Sequence, residues 1–315
     1  MTEILSAIDK WKELNEYTRE LGRLELLKQN PQRKNYLKEI KAFKENNSLF
    51  AKEPTVNIIK MRYFELHSSY YNAIGDKTQE IKWFEKTSKF LLDKMQKWTR
   101  FEIRFSHTNI GLISAYILNV QFEKAQKQIN DFKAFAIEGK LENVTNSTTL
   151  NYLQLTLFNR TSAISSLKKF VGENTPESIS HMQQSMPYFK TINSFKIDYL
   201  ISLLLLEKHT EALRWILECD NDKTFRTGDA NYQLVLVIEI VLNYVLKDNE
   251  TAEKNAKKHA KNKEFQLAHL FEALAISDKK KRDFALREAM KNSEEKSNLL
   301  LEYFDVFDWI KTVLK

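Results

Sequence analysis

Histidine, cysteine and clustered carboxylates are the side chains that most often bind metals or act as nucleophiles and proton carriers. The six histidines of this sequence, at positions 67, 107, 181, 209, 259 and 269, stand apart and form no H-E-x-x-H motif. The one cysteine, Cys219, lies in no cysteine-protease signature, and the sequence has no G-x-S-x-G nucleophile elbow. We therefore predict no metal site and no catalytic residue, and interpret the chain as a non-enzyme.

Cofactor binding has no sequence support either. A nucleotide loop needs glycines close together so that the backbone can approach phosphates, and the six glycines here lie far apart. Carboxylate pairs such as Glu294-Glu295 and Asp305 with Asp308 fall on predicted amphipathic helices. Solvation and the helix dipole explain these carboxylates. Neither the glycines nor the carboxylates indicate a bound group, so we predict no cofactor.

The composition favours long helices. Six glycines and four prolines in 315 residues leave few chain breaks. A hydrophobic content of 43% is enough to form a core, and 29% charged residues is typical of a solvated helical surface. No alternating segment bounded by hairpin turns is present, so the sequence predicts an all-α protein.

Cysteine usage and apolar runs bear on the compartment. A single cysteine excludes an internal disulfide framework and suits a reducing compartment. The start of the chain lacks a signal-peptide pattern, and the longest apolar runs, Leu200 to Leu206 and Leu234 to Leu246, are too short to cross a bilayer. We expect a cytoplasmic protein without membrane insertion.

The chain carries a net charge of +7, with basic and acidic residues interspersed as on ordinary solvated helix faces. One stretch is more strongly basic. It contains Lys254, Lys257, Lys258, Lys261 and Lys263, followed by Lys279, Lys280, Lys281 and Arg282. Aromatic residues that would stack on bases are not interleaved there, which disfavours nucleic acid as a partner but leaves it open.

Apolar residues in steps of three and four predict a first helix over Glu3 to Gln29 with one apolar stripe. The stripe consists of Ile4, Ile8, Trp11, Leu14, Tyr17, Leu21, Leu24 and Leu27. Asn30-Pro31 ends this helix, and a second helix is predicted over Gln32 to Lys44.

Further along, chain breakers divide the sequence into helix pairs with short hinges. Examples are Gly75-Asp76, Asn159 to Ser162 and Asp248-Asn249, and Thr175-Pro176 is a typical helix start. Two of the pairs align. Phe64, Tyr71, Gly75 and Phe84 of the first pair set a frame that Leu112, Tyr116, Phe122, Ala125 and Ile129 follow after a shift of 45 residues.

This pattern resembles the tetratricopeptide repeat family, in which the second helix opens with an aromatic residue and carries a small residue where two helices approach closely. Ala125, Ala163, Ala212 and Ala252 take the place of the small residue, whereas the first pair has Glu80. The spacing departs from the strict period of about 34 residues. The resemblance implies a right-handed α-solenoid of antiparallel helix pairs.

We predict three segments. Residues 1–50 form an N-terminal helical hairpin that is a cap or a separate small module, and residues 55–292 form the repeats. Residues 293–315 form a C-terminal capping helix, because Leu299, Tyr303, Val306 and Ile310 lie along one side of it.

In stacks of this kind the first helices of successive pairs line the concave face, and their residues that are not used in packing contact a partner. The predicted partner-binding residues are Arg62, Glu65, Ser69, Asn72, Arg100, Arg104, His107 and Ser114. They do not reproduce the Lys, Asn and Arg set with which some family members grip a peptide's C-terminal carboxylate.

The leading functional hypothesis is a non-catalytic scaffold that binds a protein or peptide in the groove of the repeat stack. The first alternative is a bacterial peptide-responsive regulator with a similar sensor domain, although the two N-terminal helices show no short recognition turn. The second is a basic-surface binder of nucleic acid. Neither the oligomeric state nor the partner's identity follows from the sequence.

Overall fold

The computed structural model describes residues 2–29, 34–135, 144–174, 178–179, 192–220, 230–262, 265, 267–294 and 306–314. Every regular element in these residues is a helix and none is a strand, which confirms the all-α prediction. None of the helices in these residues combines the length and the hydrophobicity of a membrane-spanning segment. The chain forms two compact units, Met1–Leu153 and Gln154–Lys315.

The first unit contains α1 (Thr2–Lys28), α2 (Tyr36–Glu45), a short 3-10 turn (Ser48–Phe50), α3 (Asn57–Ile74), α4 (Lys77–Lys94), α5 (Phe101–Leu118) and α6 (Phe122–Phe135). Helix α7 (Val144–Arg160) carries the boundary between the units. The second unit contains α8 (Ile164–Glu173), α9 (Ile192–Leu205), α10 (His209–Asp220), α11 (Ala230–Val245), α12 (Asn249–Ala260), α13 (Ala268–Leu274), α14 (Lys279–Glu294) and α15 (Val306–Val313).

Among the described residues, five helix pairs are joined by the same turn. A residue one or two positions after the end of the first helix has a positive φ, its N–H donates to the carbonyl three residues back, and the next N–H donates to the carbonyl five residues back. This is a Schellman motif, which closes a helix and reverses the chain. The positive-φ residues are Gly75, Val120, Ser162, Glu207 and Lys247, which lie 40 to 45 residues apart. The second helix of each pair begins two residues later, so the chain repeats a helical hairpin.

The shared turn gives the repeat its frame. The fifth residue after the positive-φ position is buried in all five pairs: Glu80, Ala125, Leu167, Ala212 and Ala252. Gly75 and Val120 are 45 residues apart, in agreement with the predicted frame of the first two pairs. The assignment of Ala163 was wrong, because Ala163 lies in the turn between α7 and α8, directly before α8 begins.

The N-terminal helix departs from the predicted single stripe. Tyr17 and Leu24 are buried in the core of the first unit, but Ile8 is exposed and Trp11 is 65% exposed. The average step between residues of the stripe is slightly shorter than one helical turn, so the stripe rotates around the helix. Its N-terminal residues therefore lie away from the side that packs on α3. Only the C-terminal half of α1 therefore belongs to the core.

The C-terminal segment is described from Val306 onward, and Glu295 to Asp305 lie outside the described residues. In α15, Val306 and Ile310 are buried; the helix packs against α11 and lines a cavity together with α14. The predicted helix start at Thr175-Pro176 and the side chain of Cys219 also lie outside the described residues.

Val120→Gly is expected to raise the free energy of unfolding by about 1 kcal/mol. A β-branched residue at φ 58° is sterically strained, and Val120 is 67% exposed, so little burial is lost. Relief of roughly 1–2 kcal/mol is partly offset by the backbone entropy of glycine. Urea unfolding measures the change. The matched control is Gly75→Ala, which places a Cβ at φ 76° and should destabilise; a destabilised Val120→Gly would contradict the strain argument.

Candidate functional site

The predicted partner-binding residues lie on two helices of the first unit. Arg62, Glu65, Ser69 and Asn72 are on α3, and Arg104, His107 and Ser114 are on α5, with Arg100 in the residue before α5. Steps of three and four residues along α3 place the first set on one side of that helix.

Glu65 is the point where α3 and α5 meet through charged side chains. The Arg62 Nη1 donates to Glu65 Oε2 at 2.6 Å, and the Arg104 Nη1 donates to Glu65 Oε1 at 3.1 Å. The three side chains are only 17%, 18% and 25% exposed for Arg62, Glu65 and Arg104 respectively. Two guanidinium groups thus share one carboxylate in a half-buried position, which leaves an excess positive charge.

Helix α1 lies on the other side of α3. The Ser69 hydroxyl donates to the Glu25 carboxylate, and Lys28 Nζ donates to both Ser69 Oγ at 3.3 Å and Glu25 Oε1 at 3.0 Å. The sequence predicts the N-terminal helices to be a cap or a separate module, so Glu25 and Lys28 are not among the predicted partner-binding residues. Their three-residue spacing was visible, but nothing in the sequence placed them beside Ser69.

These contacts define what we call the α1–α3–α5 surface. It consists of Glu25, Lys28, Arg62, Glu65, Ser69, Arg104 and His107. All of its side chains come from helices that are fixed by core packing, since α1 and α5 are held by α3 and α4 respectively. The surface is therefore held rigidly before any partner arrives.

The other predicted residues take different positions. Asn72 Nδ2 donates to Glu80 Oε1 at 2.8 Å, so this side chain turns to α4 and satisfies a buried carboxylate that also pairs with Lys77. Arg100 is exposed, and Ser114 is half-buried on α5. The structure thus brings together five of the eight predicted residues.

The electrostatics of the surface favour an anionic group. Desolvation, followed by the neighbouring Arg104 guanidinium, lowers the pKa of His107, so its ring is neutral at pH 7. The Nε of Arg62 is buried and has no hydrogen-bond partner. Arginine has five N–H donors, and only one from each of Arg62 and Arg104 is used on Glu65. The two guanidinium groups therefore have more N–H donors than Glu65 uses.

A second histidine, His67, is buried in an aromatic cluster of α3 and its neighbours. Its ring stacks on Trp83 with centroids 4.0 Å apart, and the rings of Tyr63 and Phe50 contact it edge-on at 4.4 and 4.9 Å. Neither ring nitrogen has a hydrogen-bond partner. Desolvation, and then the nearby Lys44 ammonium, lowers the pKa of His67 to about 4. No ligand can reach this ring without moving the cluster, so we assign it to the core.

The second unit holds a buried polar network between α7 and α9. Asp198 accepts from the Thr156 hydroxyl, and Asn159 Nδ2 donates to the Asp198 backbone carbonyl at 2.8 Å. The Ser202 hydroxyl completes the network with bonds to Asn159 Oδ1 and to the same carbonyl, both at 2.8 Å. Burial raises the pKa of Asp198 to about 7, although the hydrogen bond from Thr156 and the charge of Arg160 oppose the shift. The network joins two helices and has no described opening to solvent.

No three His, Cys, Asp or Glu side chains gather into a possible metal site within the described part of the chain. Comparisons of the chain with protein-family models, with curated proteins and with solved structures found no match.

Proposed function

We propose that this protein is a non-catalytic interaction scaffold that binds a segment of a protein or peptide partner on its α1–α3–α5 surface. In this proposal the repeated hairpins stack as a right-handed, tetratricopeptide-like solenoid, and the surface lies in its groove. The proposal rests on the charged side chains that α3 and α5 bring together at Glu65, and on the N–H donors of Arg62 and Arg104 that Glu65 does not use.

Two physical arguments support the proposal. Side chains that are already immobilised cost little further conformational entropy when a partner binds, so a preformed cluster is an efficient recognition site. Arginine is enriched at binding hot spots because its planar fork donates several hydrogen bonds at once. Arg62 and Arg104 are half-buried, immobilised and only partly used, which is the arrangement that these arguments require.

The experiment is selection of a displayed peptide library on the full chain, followed by affinity measurements on the enriched peptides. The double variant Arg62→Ala, Arg104→Ala should bind them at least about tenfold more weakly, which corresponds to about 1.4 kcal/mol. The reason is the loss of the only two guanidinium groups at the centre of the surface.

Two further variants keep this test decisive. Arg62→Lys with Arg104→Lys retains the charges but loses the planar fork, so it should also weaken binding while preserving the fold. Lys82→Ala with Lys89→Ala removes two exposed charges of α4 and should change nothing. Failure to enrich any peptide, or equal binding by all variants, would reject the proposed function.

A further inference from the structure

The second unit carries a concentration of positive charge of its own. Residues 249–287 contain ten basic and six acidic side chains, so this eighth of the chain supplies more than half of the net charge of +7. Helices α12 and α14 carry most of these residues. Arg282 is the exception, because it is buried with its guanidinium 3.9 Å from the centre of the Tyr244 ring.

Three lysines lie on one side of α12 and of the residue that follows it, opposite the fully buried Ala252 and Ala256. They are Lys254, Lys258 and Lys261, in steps of four and three residues. All three are exposed, and none forms an ion pair with any part of the chain that the structure describes. Their charges are therefore available to a partner.

A second group of lysines lies in the first turn of α14. Ser277 Oγ donates to Glu253 Oε2 at 2.6 Å, which ties the loop before α14 to α12. Lys280 and Lys281 follow immediately, are exposed and are likewise without an ion pair among described residues. Cations at a helix N-terminus oppose the helix dipole, so helix stability does not explain their position.

An exposed aromatic side chain stands on the same side of α14. Phe284 is 69% exposed and follows Lys280 and Lys281 by four and three residues, which places the three side chains together. Phe284 also forms one wall of an open cavity of about 610 Å³, whose charged lining consists of Arg287, Lys311, Asp283, Glu288 and Asp308. The sequence-based argument that this region lacks a stacking aromatic residue was therefore wrong.

We propose that this basic surface binds single-stranded nucleic acid. Lys254, Lys258, Lys261, Lys280 and Lys281 contact the phosphates, and Phe284 stacks on an unpaired base at the mouth of the cavity. Proteins that bind single strands without sequence preference combine a positively charged track with aromatic side chains on which bases stack. A duplex hides the faces of its bases, so the exposed ring favours a single strand.

The test is fluorescence anisotropy of a labelled oligouridine of about 20 nucleotides, a length that exceeds the roughly 4–16 nucleotides of common single-strand sites. The full-length protein is titrated at several KCl concentrations. We expect the logarithm of the association constant to fall linearly with the logarithm of the salt concentration. The slope should be about −0.7 for each phosphate neutralised, or about −3.5 for five lysines.

Two sets of substitutions separate charge from stacking. The quadruple variant Lys254→Ala, Lys258→Ala, Lys280→Ala, Lys281→Ala should lose more than about tenfold in affinity and reduce the slope by about 3. Phe284→Ala should weaken binding by about tenfold without changing the slope, and Phe284→Trp should retain binding because it keeps a stacking ring.

The matched control replaces four exposed lysines of the first unit, Lys38, Lys82, Lys89 and Lys97, with alanine. It should bind as the wild type does, and circular dichroism checks that each variant is folded. An absence of binding at about 50 mM KCl, where phosphate contacts are strong, would overturn the proposal. Binding of a duplex as tightly as of the single strand, with no effect of Phe284→Ala, would also overturn it. So would binding of phosphatidylserine vesicles but not of the oligonucleotide.

Discussion

Asp198→Asn is expected to raise the free energy of unfolding at pH 8 by up to about 4 kcal/mol and to change it little at pH 4. Burial raises the pKa of Asp198 from 3.8 to about 7 in the folded protein. The folded state therefore keeps a proton that the unfolded chain releases between these two values. The stability contributed by this group is present below pH 4 and is lost as the pH rises through 7.

Asparagine has a similar shape and no proton to lose, and its side-chain oxygen can still accept from Thr156. Urea unfolding gives the difference in free energy of unfolding between variant and wild type at pH 4 and at pH 8. The effect is the change in this difference between the two pH values. The control Glu123→Gln removes an exposed carboxylate and separates the buried site from a general change in net charge. An equal gain at both pH values, or a loss at pH 8, would show that the fold does not raise the pKa of Asp198.

His67→Phe should remove an acid-induced loss of stability of about 3 kcal/mol between pH 7 and pH 4. The pKa of His67 is lowered from 6.5 to about 4, so the unfolded chain takes up a proton that the folded chain refuses. The stability contributed by the neutral ring is complete above pH 6.5 and is lost as the pH falls through 4. Phenylalanine fills the aromatic cluster without a titrating group.

The comparison again uses urea unfolding, here at pH 7 and pH 4. Tyr63→Phe is the matched control, because it alters the same aromatic cluster and leaves the imidazole in place. It should lose stability with acid as the wild type does. If His67→Phe lost as much stability as the wild type between the two pH values, the imidazole would have to be accessible to protons in the folded state.

The helices and most of the hinges could be predicted from the sequence because local signals specify them. Gly75-Asp76 combines a residue that tolerates positive φ with a side chain that caps the next helix, Asp76 accepting from Gln79 N. The turn at Glu207 has the same backbone geometry but carries neither glycine, asparagine nor proline, so no breaker marks it. There the tertiary structure imposes a conformation that the local sequence does not favour.

The candidate surface could be predicted only in part, for a related reason. Periodicity places Arg62 and Glu65 on one side of α3, and Arg104 on α5, but it does not say how far one helix is shifted along the other. That shift, which depends on core packing, brings Arg104 to Glu65 and Ser69 to Glu25. The exposure of Phe284 could be predicted from the sequence, because a helical projection of α14 places it away from the buried side chains of Leu286 and Met290.

The shared Schellman turn has a consequence for how the chain folds. Each turn closes a hairpin between helices that are neighbours in sequence, so a pair can form from local contacts before distant parts of the chain meet. Loop closure over so few residues is entropically cheap, and any of the five pairs is a suitable nucleus onto which adjacent pairs can then assemble. Folding that starts at several sites, with rates governed by local structure, is the kinetic signature expected of this architecture.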